Sequence, residues 1–149
     1  MKEPLRLEDF GHVIEIQTRW SDLDALGHVN NTRFFTFDES ARLDYFSELM
    51  RDDASFWKTS GLILASIGAD FIAQLHHPST VQVGFRIARL GRSSMNSLAG
   101  LFVDGRPVGV TRGVIVWFDY ENQRPVAIPE AVRAKIRARE RVKPEESTG

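Results

Sequence analysis

The chain contains no cysteine. That excludes disulfides, thiolate nucleophiles and cysteine-ligated zinc, and it fits a reducing compartment. Charge of one sign is also lacking: 20 acidic and 19 basic residues leave a net charge of −1. No overall field therefore recruits nucleic acid or an anionic membrane. Apolar runs are short, and none approaches the ~18 residues of a membrane-span candidate. The start, Met1-Lys2-Glu3-Pro4-Leu5-Arg6-Leu7-Glu8, has no apolar signal-peptide core. Internal repeats and low-complexity linkers are absent too. What remains is 149 residues, 42% hydrophobic and 26% charged, an ordinary composition for one globular domain. The expectation is a soluble, cytoplasmic protein with neither membrane nor nucleic acid as partner. Residues 1–141 are read as one domain, and residues 142–149 as a polar tail that frays.

What is present is strongly patterned. Residues 12–20 alternate, with Val13, Ile14, Ile16, Thr18 and Trp20 among polar side chains, which predicts a half-buried strand. From Asn31 onward, Phe34, Phe35, Phe37, Ala41, Tyr45, Phe46 and Leu49 recur in steps of three and four. That is one face of a long, deeply packed helix, with Asn30 or Asn31 as its N-cap and Asp38 four residues before Arg42. Strands are predicted over 62–75 with a bulge near Gly68, then over 80–89, 93–103 and 107–119. Asp104-Gly105 is a hairpin turn, and residues 130–141 form a short C-terminal helix. A strand, a long helix and then about four antiparallel strands make an α+β domain, with the sheet curled around the helix. The open edges of such a sheet call for a second copy of the chain, so a homodimer is expected.

Between the first strand and the helix lies Asp22-Leu23-Asp24-Ala25-Leu26-Gly27-His28-Val29-Asn30-Asn31. Two carboxylates, an imidazole and two amides in ten residues are too much polar chemistry for a plain connection. Gly27 can take a positive φ and let a ligand approach the backbone. The amides around Val29 to Thr32 start the helix and lack intrahelical partners. They can donate to a carbonyl oxygen that gains negative charge during acyl transfer, each worth ~3 kcal/mol in a dry site. A carboxylate beside them can act as general base on water or attack the acyl carbon itself. Asp24, nearer Gly27 and the helix start, is the candidate for that role. Against this stands a plainer reading: both aspartates shape a turn, His28 satisfies backbone groups, and Asn30 and Asn31 are caps and struts.

These residues resemble a known family. Trp20-Ser21-Asp22-Leu23-Asp24-Ala25-Leu26-Gly27-His28-Val29-Asn30-Asn31, followed by Phe35, Glu39, Ala41 and Arg42 and later by Leu90-Gly91-Arg92-Ser93-Ser94, is similar to the hot-dog-fold acyl-CoA thioesterases of the hydroxybenzoyl-CoA thioesterase type. The likeness spans roughly residues 10–130. It implies a long central helix wrapped by an antiparallel sheet, and hydrolysis of acyl-CoA to a free acid and CoA with no cofactor and no metal. It also implies homodimers, often paired into homotetramers, with active sites between subunits. The family's catalytic aspartate matches Asp24, and its oxyanion site matches Gly27, His28, Val29, Asn30 and Asn31. Asp22 takes a supporting role, and Glu39 a structural ion pair. Arg89, Arg92, Ser93 and Ser94, on or beside a turn, are the candidates for the CoA end, where a guanidinium fork suits phosphate. Phe35, Phe56 and Trp57 are candidates for the acyl pocket.

Two alternatives stay open. The motif is shared with acyl-carrier-protein thioesterases, and the basic C-terminal helix (Arg133, Lys135, Arg137, Arg139) could dock an acidic carrier. A non-catalytic acyl-CoA-binding domain is the other. A hydratase fits poorly, because its Asp and His have four residues between them while Asp24 and His28 have three. His76-His77 is discounted as a metal pair, since adjacent strand residues point apart.

Overall fold

A computed structural model describes residues 5–147, except for the side chains of Thr59 and Ser60. Residues 1–4 of the start read above lie outside it. The ordered elements are β1 (Val13–Gln17), α1 (Thr32–Leu49), α2 (Phe56–Thr59), β2 (Ser60–Phe71), β3 (Thr80–Leu90), β4 (Ser94–Val103), β5 (Arg106–Asp119), β6 (Arg124–Pro125), α3 (Glu130–Arg139) and β7 (Glu145–Glu146). Five main strands form one antiparallel sheet in the order β1-β3-β4-β5-β2. The long helix α1 lies in its concave side, as the hot-dog expectation requires. Among the described residues no helix is long and apolar enough to cross a membrane.

The helix forms where the apolar period placed it. Asn30 caps it, its Oδ1 accepting from the Thr32 amide and hydroxyl, both at 3.0 Å. Asn31 has helical backbone angles and makes no side-chain cap. Phe34, Phe37, Ala41, Tyr45, Phe46 and Leu49 face the sheet and are buried. They meet Val81, Val83, Phe85 and Ile87 of β3 and Met95, Ala99 and Leu101 of β4 in one core. Fully burying each large side chain contributes ~1.5–3 kcal/mol. Tyr45 packs on Phe85 with ring centroids 5.2 Å apart, and on Phe46 at 5.0 Å. Gly109 makes room for the first turn: a Cβ there would sit 2.5 Å from the Phe34 ring. Val132 and Ile136 of α3 close the far end of the core.

Three expectations need correction. The bulge in β2 falls between Leu64 and Ser66, not near Gly68. β2 ends at Phe71 instead of Leu75, because the Ile72 and Ala73 amides both turn onto the Val108 carbonyl (3.0 and 3.1 Å). The tail is not frayed through residue 147. Glu145 and Glu146 pair in parallel with Arg89 and Leu90, and arginines on α3 hold Glu146 in place. The physical reason is that β1 is too short to cover the whole edge of β3. Beyond Gly84 that edge is finished by the His12 carbonyl on the Phe85 amide (3.0 Å), the Glu140 carboxylate on the Ile87 amide (2.8 Å) and then β7. Thr148 and Gly149 lie outside the described residues.

Candidate active site

The polar loop folds back on itself before α1 begins. Leu23 and Val29 form an antiparallel bridge. Within it the Asp24 amide donates to the His28 carbonyl (2.9 Å) and the Gly27 amide to the Asp24 carbonyl (3.1 Å). So tight a reversal requires φ of +81° at Gly27, where a side chain would be strained.

Asp22 and Asp24 have opposite surroundings. Asp22 is fully buried. Its carboxylate accepts from the Arg19 amide (2.8 Å) and the Arg19 guanidinium (3.0 Å), with Arg33 Nε at 3.4 Å. Burial opposes its ionisation, but the Arg19 hydrogen bonds and the charges of Arg19 and Arg33 outweigh burial and hold the carboxyl below its usual range. Its backbone carbonyl accepts from the Asn30 amide (2.8 Å). Asp22 thereby ties the start of the loop to its end.

Asp24 is half-buried. Its Oδ1 accepts from the Leu26 amide (2.9 Å) and, at the limit of range, from the His28 amide (3.4 Å). Among the described residues its Oδ2 has no hydrogen-bond partner. Asp24 lines a cavity of about 550 Å³ together with His28, Asn31, Phe71, Ile72 and Gln74. One carboxylate oxygen is thus anchored to the loop while the other is left for a ligand or a water.

The donors predicted at the start of the helix are fewer than expected. The Val29 amide is taken by the Leu75 carbonyl (2.9 Å), the Asn30 amide by Asp22, and the Thr32 amide by the Asn30 side chain. The loop closes on itself and the β2–β3 connection crosses it, which fills those positions. Of the amides from Val29 to Thr32, only that of Asn31 has no hydrogen bond among the described residues. Of the donors expected over Val29 to Thr32, that leaves one N–H unbonded.

The other wall was not legible in the sequence. Phe71, Ile72, Ala73, Gln74 and Leu75 come from beyond residue 70. The Phe71 ring meets Phe34 of α1 edge-on at 5.1 Å. His76 packs edge-on against His28 at 5.1 Å. The available signal was the apolar run over 62–75, which implied a strand but not the loop it returns to. His77 is held by Thr18 (2.8 Å). Among the described residues no three His, Asp or Glu side chains are placed to hold a metal ion.

The remaining candidates lie elsewhere. Arg89, Arg92, Ser93 and Ser94 stand at the end of β3 opposite the loop, since Thr80, not Leu90, pairs with Gln17. Ten residues of strand put them ~33 Å along the sheet. Within one chain they do not join Asp24. Phe56 is in the core between Trp57 (4.6 Å) and Trp117 (5.4 Å) and lines no pocket with Asp24. Phe35 is half-buried on the first turns of α1. Glu39 is exposed and forms the expected ion pair with Arg42 at the long distance of 4.0 Å; Asp38 is the closer partner of that arginine. Asp38 is fully buried, bonded to Arg42 and to Thr111 Oγ1 (2.6 Å). Burial pushes its carboxyl up, against the pull of Thr111 and Arg42.

A long helix in the concave side of a curled antiparallel sheet is the hot-dog fold of thioester hydrolases. The thioesterase-like superfamily matches residues 18–136, and the chain belongs to that superfamily. It is similar to a thioesterase of Thermus thermophilus whose structure holds coenzyme A and zinc. The two are 34% identical, with 90% of this chain and 97% of that one covered and a TM-score of 0.80. The PA5185 protein of Pseudomonas aeruginosa strain PAO1 is 33% identical over 94% of this chain and 98% of its own, with a TM-score of 0.81. A chloroplastic acyl-acyl carrier protein thioesterase of Arabidopsis thaliana, ATL3, is 25% identical over 130 residues, 84% of this chain and 67% of its own.

Proposed function

We propose that the protein hydrolyses acyl-CoA thioesters, with Asp24 as general base or nucleophile and the Asn31 amide as oxyanion donor. The observation that carries this reading is the pairing of an unbonded Asp24 oxygen with an unbonded Asn31 N–H on the wall of one cleft. As general base, Asp24 takes a proton from water while the water oxygen bonds to the acyl carbon. The carbonyl oxygen becomes an oxyanion and accepts from Asn31; as it re-forms the carbonyl the carbon–sulfur bond breaks, and Asp24 passes its proton to the leaving sulfur, releasing thiol and free acid. As nucleophile, the Asp24 oxygen itself bonds to the acyl carbon and expels the thiolate. Water then hydrolyses the resulting anhydride.

CoA is favoured over a carrier protein by the state of α3. Its cations are engaged within the chain: Arg133 and Arg137 with Glu146, Arg137 also with Glu130, Lys135 with Asp52 (2.7 Å), and Arg139 over the Tyr45 ring with Nη1 on His12. With the tail in place, that leaves little free positive charge there for an acidic carrier helix. The coenzyme A in the Thermus relative points the same way.

The site is completed by a second copy of the chain. β2 is the edge of the sheet beyond β5; its Ile63 and Phe71, and Ile72 just past its end, are between 38% and 51% exposed. Leu26, at the loop tip, is 80% exposed. An apolar edge of this length is a liability unless paired.

The test is a thiol-release assay over short, long and aromatic acyl-CoAs and over matched acyl-carrier-protein substrates. Turnover of at least one acyl-CoA in preference to its carrier-protein counterpart is expected. Cleavage of carrier-protein substrates alone overturns the choice of CoA. Sedimentation at micromolar concentration is expected to show dimers or tetramers, and a stable monomer rejects the shared site.

A further inference from the structure

Arg89, Arg133 and Arg137 converge on two consecutive residues of the chain's own tail. Arg137 grips the Glu146 carboxylate side-on, Nε to Oε2 at 2.9 Å and Nη2 to Oε1 at 2.7 Å. Arg133 Nη2 adds a third bond to Oε1 at 3.0 Å. Arg89 Nη2 donates to Ser147 Oγ at 2.6 Å. The carbonyl of Gly91 fixes Arg133 through its Nη1 (2.6 Å), and Glu130 fixes Arg137 through its Nη1 (2.8 Å). Two guanidinium forks on one planar anion, each steadied by a second contact, is how arginines receive phosphate as well as carboxylate.

The tail is held mainly by these side-chain contacts and little by its backbone. Among the described residues its backbone meets the sheet edge through two parallel residue pairs, Arg89 with Glu145 and Leu90 with Glu146, and one amide, Ser147 to the Leu90 carbonyl (3.1 Å). Glu145 and Glu146 are exposed residues. The hydrogen bonds from Arg137, with help from Arg133, hold the Glu146 carboxyl down at about 2, so it is ionised at neutral pH. The arginines, by contrast, belong to the body of the fold: Arg89 to β3, Arg133 and Arg137 to α3, with Arg92 in the adjoining turn. Without the tail, Arg133 and Arg137 keep Glu130 as their carboxylate partner among the described residues.

We propose that Arg89, Arg133 and Arg137 form a binding site for a phosphorylated ligand, and that the tail residues Glu146 and Ser147 fill it as an internal substitute for that ligand. The phosphate must displace the tail to bind. The site lies at the opposite end of β3 from Asp24, so CoA held at Asp24 of the same chain is not its source. The phosphates come either from the nucleotide end of CoA on another subunit or from a free phosphorylated metabolite. Only the first source rests on the thioesterase reading. The site itself does not.

The test uses the full chain with Glu146→Gln, which keeps the size of the side chain and removes the competing charge. Pyrophosphate and 3′,5′-adenosine bisphosphate are titrated calorimetrically into wild type and variant, with thermal melts as a control for folding. The variant is expected to bind pyrophosphate at least tenfold more tightly than wild type, and Arg137→Gln in that background is expected to abolish the gain. Glu146→Ala serves as a second release variant and is expected to show the same gain. Equal binding by wild type and both release variants, or a gain that survives loss of Arg137, overturns the site. Tighter binding of the bisphosphate than of pyrophosphate, with a lowered KM for acyl-CoA in Glu146→Gln, identifies CoA as the source. Equal affinity for the two probes and an unchanged KM identify a free phosphate ligand. Neither probe contains a thioester, so failure of hydrolysis and failure of this site are read separately.

Discussion

The two ends of α1 are both crowded with polar groups, and they use them in opposite ways. At the N-terminal end Asp24 and Asn31 line one open cleft, and among the described residues one Asp24 oxygen and the Asn31 amide have no hydrogen bond. Toward the C-terminal end Glu140 is buried, and a single oxygen accepts from both Tyr45 Oη (2.7 Å) and the Ile87 amide (2.8 Å). Next to it His12 bridges Asp44 (2.8 Å) and Arg139 (3.1 Å). A polar group whose bonds stay within the fold holds the fold together. One left with open valence at a cleft is available to a substrate. Residue type does not separate the two cases, and neither does partner count: each carboxylate accepts two bonds at one oxygen and, among the described residues, none at the other. Access separates them, because Glu140 Oε1 is buried while Asp24 lines a cleft.

The contrast is broken most sharply at Asp24. Asp24→Asn should lower turnover by ~10²–10⁴-fold, the usual cost of losing a general base. Its melting curve should barely move, because the Asn side-chain oxygen still accepts from the Leu26 amide. Near-wild-type thiol release from acyl-CoA would remove Asp24 from the chemistry.

Glu140 should answer the other way. Glu140→Ala leaves the Tyr45 hydroxyl and the Ile87 amide unpaired inside the protein, at ~1–3 kcal/mol for each. Denaturant titration should show that loss, while turnover per folded molecule at low temperature is retained. Burial pushes the Glu140 carboxyl up, against the hydrogen bonds of Tyr45 and Ile87. An acid whose folded pKa is raised contributes its stability in full below the unfolded value, ~4.3 for Glu, and loses it as pH rises through the folded value. Glu140→Gln cannot ionise, so its stability should fall less than wild type's as pH rises from ~4.3 through the folded value.

Asp22 sits between the extremes, buried like Glu140 but within the loop. Asp22→Asn should cost ~1.5–3 kcal/mol for charge-assisted hydrogen bonds, and turnover should drop with it as the loop loosens. Its depressed carboxyl gives the opposite pH sign to Glu140. The contribution is complete above the ordinary value, ~3.9 for Asp, and is lost as pH falls through the lower folded value. Chemical denaturation from pH 6 down to pH 2 on wild type and Asp22→Asn should converge at the acid end. The smallest effect belongs to Leu26→Ala. At 80% exposure its stability should stay within ~0.5 kcal/mol of wild type, and the measurement that should move is the dimer dissociation constant.

Much of the fold was readable before any coordinate. Period decided it: 3.6 across Phe34 to Leu49, two across β3, and Asp104-Gly105 at a hairpin turn where both residues take positive φ. The site was half readable. The cluster from Asp22 to Asn31 stood out because so many polar groups share so few residues. Its second wall, from Phe71 to His76, stayed hidden, because a strand's sequence records its alternation and not where its end returns. The tail was misread for a similar reason. Glu145 and Glu146 look like solvated charges until the uncovered edge of β3 and the arginines of α3 are placed beside them.

Local chemistry is what the sequence by itself determined. The helix has its face, Gly27 permits the reversal, and two aspartates stand within reach of a helix start. Tertiary structure alone decided which hydrogen bonds were already taken. By bringing the Leu75 carbonyl to Val29 and the Asp22 carbonyl to Asn30, it left the Asn31 amide free among the helix-start donors. By burying Asp22 under Arg19 and Arg33 it left Asp24 as the carboxylate open to the cleft. The reason is physical: a hydrogen-bonding group can be satisfied from any distance along the chain, and only the fold settles which distant partner arrives.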